Sequence, residues 1–255
     1  MPLHQEPKRV CFLGDSQMGS LRIALEENLT SLPTGVEVEY WGATGPAFRQ
    51  IDWQDGAIHA TGDALDMALA INGNERAFIA PDDFDTLVFY GARLRVAEFF
   101  GSYLDWIDEN GQMPSAAVVK AGARLFLNNT RMFRIAGKAA IAGCEVIYVP
   151  SPFYTDGIRD LSVKSRFFDA YPGAEKATPE QRAMLWDALV SVAGDDGITL
   201  VPQPEDTVIR GSLTKNEFAR ENALEDDDAG HKCPAFAARW MQDVWPLIQP
   251  AAQAA

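Results

Sequence analysis

The chain has few of the residues that mark metal sites, disulfide frameworks and polyanion-binding surfaces. Its 255 residues include three cysteines and three histidines, and the 22 lysines and arginines are outnumbered by 36 aspartates and glutamates. The cysteines stand at positions 11, 144 and 233, far apart and with no Cys-x-x-Cys pair. This spacing favours reduced thiols over a disulfide framework or a zinc site.

The formal net charge of −14 argues against partners that carry many negative charges. Nucleic acid phosphates and anionic lipid headgroups repel such a chain, and its basic residues are scattered along the sequence. The amino-terminal residues lack the apolar stretch of a signal peptide, and no segment approaches the ~20 apolar residues of a membrane span. We therefore predict a cytoplasmic protein that binds neither nucleic acid nor a membrane.

Apolar residues make up 47% of the chain, enough for a substantial core, and we predict a single domain over residues 1–255. Strand-like apolar runs alternate with segments of helical spacing, which is typical of a parallel sheet covered on both faces. The sequence thus predicts an α/β fold, a three-layer α/β/α sandwich around a mostly parallel five-stranded sheet. The predicted strands are 10–13, 36–41, 85–90, 145–150 and 198–201.

Helical spacing is present over 20–28, 115–143, 179–193 and 234–248. In the long second segment we place Val118 and Leu125 on the apolar stripe, with Asn129 as its one polar member. Two regions fit the scheme poorly. Residues 50–81 predict either a β-hairpin insertion or loops around a short helix, and residues 151–178 predict an irregular region, either a packed loop or an aromatic wall for a ligand.

One serine, Ser16, follows the first predicted strand in the segment Gly14-Asp15-Ser16-Gln17-Met18-Gly19-Ser20. The two glycines have the spacing of a phosphate-binding loop, but Ser20 stands where that loop needs a lysine. No other cofactor motif is present, so we predict neither a cofactor nor a bound metal. Two interpretations of Ser16 remain open, because serine oxygens cap helices and also serve as nucleophiles.

A histidine and a carboxylate near the other end of the chain favour the nucleophile. Asp228 precedes His231 by three residues, in a polar loop before the last predicted helix. A solvated acidic turn is the simpler interpretation of this loop taken alone. Together with Ser16, however, the pair supplies a nucleophile, a base and a carboxylate that orients the base, which is what acyl transfer at serine needs.

These motifs resemble those of the SGNH or GDSL hydrolase family. The segment Phe12-Leu13-Gly14-Asp15-Ser16 is similar to the family's first block, and Asp228-Ala229-Gly230-His231 is similar to its last block, Asp-x-x-His. The resemblance spans nearly the whole chain and implies a flavodoxin-like sheet. It also implies Ser16 as nucleophile, His231 as its base and Asp228 as the residue that orients the histidine.

The resemblance also implies an oxyanion hole, and here the chain departs from the family. The backbone amide of Ser16 and that of Gly45, in the segment after the second strand, match two of the expected donors. After the third strand the family carries Gly-x-Asn-Asp, whereas this chain reads Gly91-Ala92-Arg93-Leu94. We predict that Arg93, or Asn129 from a neighbouring helix, takes the place of the missing asparagine.

The function predicted from these residues is a serine esterase that hydrolyses acyl esters with a Ser-His-Asp triad. O-acetyl groups of carbohydrates and other small esters are the substrates that the resemblance suggests. Two alternatives stay open, a binding module of the same fold with little or no turnover and an O-acyltransferase that uses the same residues. Sequence cannot separate hydrolysis from acyl transfer, because the two reactions differ only in the acceptor.

Overall fold

A parallel sheet of five strands forms the centre of the molecule. The structure, a computed structural model, describes residues 6–157 and 169–248. The strands pair in the order β2-β1-β6-β7-β8 and every pairing is parallel, which confirms the predicted fold class. Their bounds are β1 (Lys8–Gly14), β2 (Val36–Gly42), β6 (Thr86–Tyr90), β7 (Glu145–Val149) and β8 (Ile198–Leu200).

Helices cover both faces of this sheet. Their bounds are α1 (Met18–Glu26), α2 (Gly62–Ile71), α3 (Val96–Asn110), α4 (Ala116–Asn129), α5 (Arg131–Ile141), α6 (Pro179–Asp195) and α7 (Pro234–Val244). On one face, Leu21 of α1 and Trp240 of α7 join Phe12 of β1 in a buried cluster. On the other face, helices α3, α5 and α6 pack against β6 and β7 in a second and larger cluster. The two clusters give the three layers that the sequence predicts.

The order of the five strands places a crevice at one edge of the sheet. Taken in chain order the strands lie 2-1-3-4-5, the order of flavodoxin-like sheets. In such sheets the connections from the first and third strands leave toward opposite faces, and ligands bind outside the carboxyl ends of these two strands. Here those ends belong to β1 and β6, so the loops after Gly14 and Tyr90 border this crevice.

Residues 50–81 contain both structures that the sequence left open. Strands β3 (Ile51–Gln54), β4 (Ala57–Ala60) and β5 (Phe78–Ile79) form a small antiparallel sheet, and α2 lies between β4 and β5. Asp55 and Gly56 form the two-residue turn between β3 and β4, with φ of +48° and +83°. An Asp-Gly pair with positive φ at both positions is typical of tight hairpins.

The predicted helix over 115–143 is wrong in two respects. It is two helices, α4 and α5, because the backbone at Thr130 is extended, with φ of −85° and ψ of 111°. The apolar stripe is also displaced by one to two residues within α4, whereas its members Met132 and Ala136 in α5 are buried as predicted. Val118 and Leu125 are 55% and 66% exposed, whereas the buried side of α4 consists of Val119, Ala123 and Leu127.

Residues 151–178 are described only in part, because 158–168 lie outside the described residues. Phe153 is fully buried against Phe100 and Trp186, as in a packed loop. Tyr154 is half-buried and lines a cavity that is described below. A second small sheet, β9 (Val208–Ile209) with β10 (Leu213–Thr214), lies next to this loop through a bridge between Thr155 and Thr214.

Two further observations bear on the sequence analysis. Cys11 and Cys144 are buried and Cys233 is half-buried, and all three carry free thiols. Of the helices in the described ranges, none combines the length and the apolar character needed to cross a membrane.

Candidate active site

Ser16 lies on a sharp turn between β1 and α1, at the crevice that the strand order predicts. Gly14 allows the turn to lie against the neighbouring strand, because a Cβ atom at this position would clash with the carbonyl oxygen of Tyr90. The carboxylate of Asp15 then accepts a hydrogen bond from the backbone N–H of Gln17 at 3.0 Å and closes the turn. The turn presents the half-buried Ser16 side chain at the start of α1.

The structure brings Ser16, His231 and Asp228 into one hydrogen-bonded line. Ser16 Oγ lies 2.6 Å from His231 Nε2, although the two residues are 215 positions apart in the chain. His231 Nδ1 lies 2.7 Å from Asp228 Oδ2. A carboxylate at Nδ1 favours the tautomer with its proton there, which leaves Nε2 to accept the serine proton.

The capping interpretation of Ser16 does not describe its hydroxyl. The N-cap residue of α1 is Gln17, and no side chain accepts a hydrogen bond from the first turn. Ser16 contributes only its backbone carbonyl, which accepts from Gly19 N at 3.2 Å. The hydroxyl is directed toward the histidine instead.

Asp228 is a structured carboxylate, unlike a residue of a solvated acidic turn. Its Oδ1 accepts hydrogen bonds from the backbone N–H groups of Gly230 and His231, at 3.0 and 3.1 Å. Partial burial acts to raise the pKa of Asp228, but the hydrogen bonds from the His231 backbone and ring outweigh it, so that the pKa is lowered. Arg220 Nε also lies 2.9 Å from Oδ2. The carboxylate is therefore kept ionised.

The loop that carries His231 is held by its backbone carbonyls. The carbonyl of Ala229 accepts from Thr155 N at 3.0 Å, from Thr155 Oγ1 at 3.2 Å and from Lys232 Nζ at 2.8 Å. The carbonyl of Gly230 accepts from Gln17 Nε2 at 3.1 Å, which ties the histidine loop to the serine turn. These bonds give the imidazole a fixed distance from the serine.

Gly45 lies across the crevice from the histidine, at the start of a short 3₁₀ helix (Gly45–Gln50) after β2. Its φ of +54° is in the left-handed region that glycine adopts without strain. Gly45 and Ser16 line the same cavity, which has a volume of about 370 Å³ and also contains His231 and Tyr154. The structure therefore brings Gly45 and Ser16 into one cavity.

Arg93 lines this cavity as well and joins three of its loops. Its Nε donates to Asp15 Oδ2 at 3.1 Å, and its Nη2 donates to the carbonyl oxygen of Gly45 at 2.6 Å. The backbone at Arg93 has a φ of +61°, uncommon for a residue with a side chain. Two hydrogen bonds hold the loop in this conformation. The Tyr148 hydroxyl, on β7, donates to Ala92 O at 2.8 Å, and Ser151 Oγ, after β7, donates to Gly91 O at 2.6 Å.

The two proposed substitutes for the missing asparagine are thus in different places. Arg93 lies in the cavity of Ser16, whereas Asn129 is exposed at the end of α4 and lines a neighbouring cavity of about 330 Å³. Arg93 is also one of the groups that set the ionisation of Asp15. Burial raises the pKa of the Asp15 carboxyl, and the hydrogen bond from Gln17 and the charge of Arg93 oppose that rise.

Sequence analysis missed several residues of the site. Gln17, Arg95, Ser151 and Arg220 line the cavity or contact the Asp228–His231 loop. Signals for three of them exist in the chain, since Gln17 adjoins Ser16, Arg95 follows Arg93 by two residues, and Ser151 follows β7, whose carboxyl end opens on the crevice. No local pattern distinguishes Arg220 from the other arginines. Tyr154, which also lines the cavity, lies in the region for which an aromatic wall was one of the two predictions.

Comparisons with known proteins were made at three levels. No family model matches the chain, and no curated protein matches it either. Among solved structures, the chain is similar to an extracellular lipase from Streptomyces rimosus, with a TM-score of 0.44 and 12% identity over 95% of this chain and 100% of that one. It is also similar to a DUF4886 family protein from Bacteroides uniformis, with a TM-score of 0.38 and 11% identity over 94% and 96% of the two chains.

Proposed function

We propose that this protein is a serine-dependent ester hydrolase of the SGNH or GDSL type. The observation that supports it is the hydrogen-bonded line from Ser16 Oγ through the imidazole of His231 to the carboxylate of Asp228, with separations of 2.6 and 2.7 Å. Both separations lie within the range in which a base takes a proton from a nucleophile and a carboxylate orients that base. The order of the two motifs in the chain and the flavodoxin-like strand order agree with the same family.

In the first half of the reaction the enzyme is acylated. His231 Nε2 takes the proton of the Ser16 hydroxyl as Oγ attacks the ester carbonyl carbon, and the carbonyl oxygen becomes an oxyanion. Asp228 stabilises the imidazolium that forms, and its lowered pKa keeps it ionised for this purpose. The imidazolium then donates its proton to the leaving alcohol oxygen as the carbon–oxygen bond breaks, so that the alcohol departs neutral.

In the second half water releases the acid. His231 Nε2 takes a proton from a water molecule as its oxygen attacks the acyl carbon, and the oxyanion forms again. When it collapses, the bond from the carbonyl carbon to Ser16 Oγ breaks and the imidazolium returns a proton to Oγ. The products are a carboxylic acid and an alcohol, and the enzyme regains its starting state.

The oxyanion is proposed to receive hydrogen bonds from the backbone N–H groups of Ser16 and Gly45. Arg93 takes the position of the family's asparagine, where it acts on the oxyanion through its charge and on Gly45 through the carbonyl bond at 2.6 Å. Loss of one donor in such a site typically lowers kcat by about 100- to 1,000-fold. A fixed cation beside two amides supplies that stabilisation without reorganisation during the reaction.

The proposal is tested by labelling with a serine-directed fluorophosphonate and by hydrolysis of 4-nitrophenyl acetate. Ser16→Ala should abolish both. Ser20→Ala is the matched control, because Ser20 lies four residues away and its hydroxyl donates only to Gln17 O, at 2.9 Å. Labelling and hydrolysis that persist in Ser16→Ala, or that are absent from the unmodified protein, contradict the proposal.

A further inference from the structure

A second cavity adjoins the one that holds Ser16, and the two share a wall. The first cavity has a volume of about 370 Å³ and the second about 330 Å³. Arg93 and Arg95 line both of them, and the first of the two also contains Ser16. A substrate bound at Ser16 therefore has a defined place for a further group.

The second cavity is rich in positive charge. Among the described residues that line it are four arginines, Arg49, Arg93, Arg95 and Arg131, and one carboxylate, that of Glu98. The chain as a whole has a net charge of −14 and only 22 lysines and arginines, so four arginines in one cavity are more than this composition leads one to expect. The amino end of α5, at Arg131, borders the same cavity and has a partial charge of the same sign.

Most of this charge is not neutralised within the protein. Arg131 donates to the backbone carbonyls of Phe48 and Ile51, which carry no net charge. Burial lowers the pKa of Arg131 and outweighs the nearby charge of Asp52, which acts to raise it, and the charges of Arg134 and Arg93 add smaller lowering effects. Within the described ranges, Arg49 and Arg95 form no salt bridge, and both are exposed at the cavity. Arg93 does form a salt bridge, with its Nε 3.1 Å from Asp15 Oδ2.

Polyanions are poor occupants of this cavity, because the rest of the surface is acidic and repels them. A small anionic group fits it, since arginine donors are suited to carboxylate, sulfate and phosphate oxygens. From the shared wall and the charge we infer that the substrate is an ester with an anionic group, which is bound by Arg49 and Arg95 beside the scissile carbonyl. The inference rests on the proposed esterase function and specifies its substrate class.

Two pairs of esters test it and distinguish the side of the ester that bears the charge. On the acyl side, 4-nitrophenyl hydrogen adipate is compared with its neutral ω-amide. On the alcohol side, 4-acetoxybenzoate is compared with 4-acetoxybenzamide. At low salt at least one anionic ester should exceed its neutral partner in kcat/KM by about tenfold or more. Added NaCl should reduce that ratio, because salt screens charges at exposed side chains.

Variants locate the effect in the cavity. Arg49→Gln and Arg95→Gln should each lower the ratio of kcat/KM for the anionic ester to kcat/KM for its neutral partner by about two- to fivefold, and the double variant by roughly 5- to 20-fold. Arg22→Gln is the control, because it removes the same charge from an exposed residue of α1 that does not line either cavity. Thermal melts followed by circular dichroism check that all variants fold.

The outcomes separate this inference from the proposed function. Ser16-dependent hydrolysis of neutral esters without preference for either anionic ester refutes the inference and leaves the esterase intact. A preference that survives in the Arg49→Gln, Arg95→Gln double variant refutes the assignment to this cavity. If no ester is hydrolysed, calorimetry of the four esters still tests whether the cavity binds the anionic group. Tighter binding of an anionic ester than of its neutral partner, lost in the double variant, supports the inference. Equal binding of the two esters in each pair refutes it.

Discussion

Replacement of Arg93 by alanine tests the part of the site that differs most from the family pattern. The guanidinium donates to Asp15 Oδ2 and to the carbonyl oxygen of Gly45, so the change removes the connection between the serine turn and the loop after β2. It also leaves a buried carboxylate without its cation. Because burial already raises the pKa of Asp15, loss of Arg93 should raise that pKa further.

The expected result is a change in kcat rather than in KM. Removal of an oxyanion-stabilising group costs about 100- to 1,000-fold in kcat, and the displaced Gly45 amide contributes to the same loss. The side chains of Arg93 and Asp15 are 28% and 10% exposed, so the free energy of unfolding should also fall, by about 1–3 kcal/mol. The measurements are kcat and KM for 4-nitrophenyl acetate and a urea unfolding curve.

Arg93→Lys serves as the control variant. Lysine keeps the charge but lacks the planar guanidinium that contacts Asp15 and Gly45 together. Relative to Arg93→Ala, Arg93→Lys should therefore recover more of the free energy of unfolding than of kcat. A kcat for Arg93→Ala within about threefold of the unmodified protein would refute the role given to this residue, since even one weak donor contributes more. A rise in KM at constant kcat would assign Arg93 to ground-state binding instead.

Three further predictions concern the residues around the serine. Asp228→Asn should lower kcat by about 10,000-fold, because the amide favours the wrong imidazole tautomer, and stopped assays with 4-nitrophenyl acetate measure the loss. The same variant also tests the contribution of Asp228 to stability. The pKa of Asp228 is lowered in the folded state, so its ionised carboxylate stabilises the fold above the unfolded-state pKa of about 3.9. This stabilisation is lost as pH falls through the folded-state pKa. The free energy of unfolding in urea should therefore differ between Asp228→Asn and the unmodified protein at pH 7, and this difference should be smaller at pH 3. A difference of the same size at both pH values contradicts the prediction. Gly14→Ala should cost about 1–3 kcal/mol through its clash with Tyr90, whereas a Cβ at Gly19 meets nothing within 4 Å, so Gly19→Ala should not destabilise α1 in thermal melts.

The sheet and the serine turn were predictable because their signals are local. Strands β6 and β7 are nearly continuous apolar runs, as buried parallel strands require, and β2 alternates apolar with charged residues, as an edge strand does. Ser16 follows directly on a strand that ends in glycine. The strand order then follows from a small set of allowed connections, so the crevice beside Ser16 was predictable as well.

Helix α3 and the packing side of α4 were not predictable in the same way. Helix α3 is absent from the sequence-based prediction, although five of its buried residues are large and apolar. In α4, both Val118 and Val119 fit an apolar stripe, and only the pairing of α4 with its neighbours decides which one is buried. Such choices depend on contacts between elements that lie far apart in the chain.

The contacts around Ser16 were not predictable for the same reason. Arg93 lines the cavity of Ser16, as one of the two alternatives had it, but its hydrogen bonds to Asp15 and Gly45 join three loops that are far apart in the chain. Arg49 and Arg131 lie far in the sequence from Arg93 and Arg95, and the four arginines converge only in the fold. A composition with few positive charges gave no indication of a positively charged cavity.

If Ser16 is the nucleophile, the acyl group of the substrate is transferred to its Oγ, and trapping of the acyl enzyme detects it there. The protein is mixed with excess 4-nitrophenyl acetate, quenched in acid within the first turnovers and digested, and the peptides are mapped by mass spectrometry. We expect one acetyl group on Ser16, which disappears in Ser16→Ala and is strongly reduced in His231→Ala, while Ser20→Ala leaves it in place. An acetyl group on another residue, or on Ser16 at the same rate in His231→Ala, would contradict it.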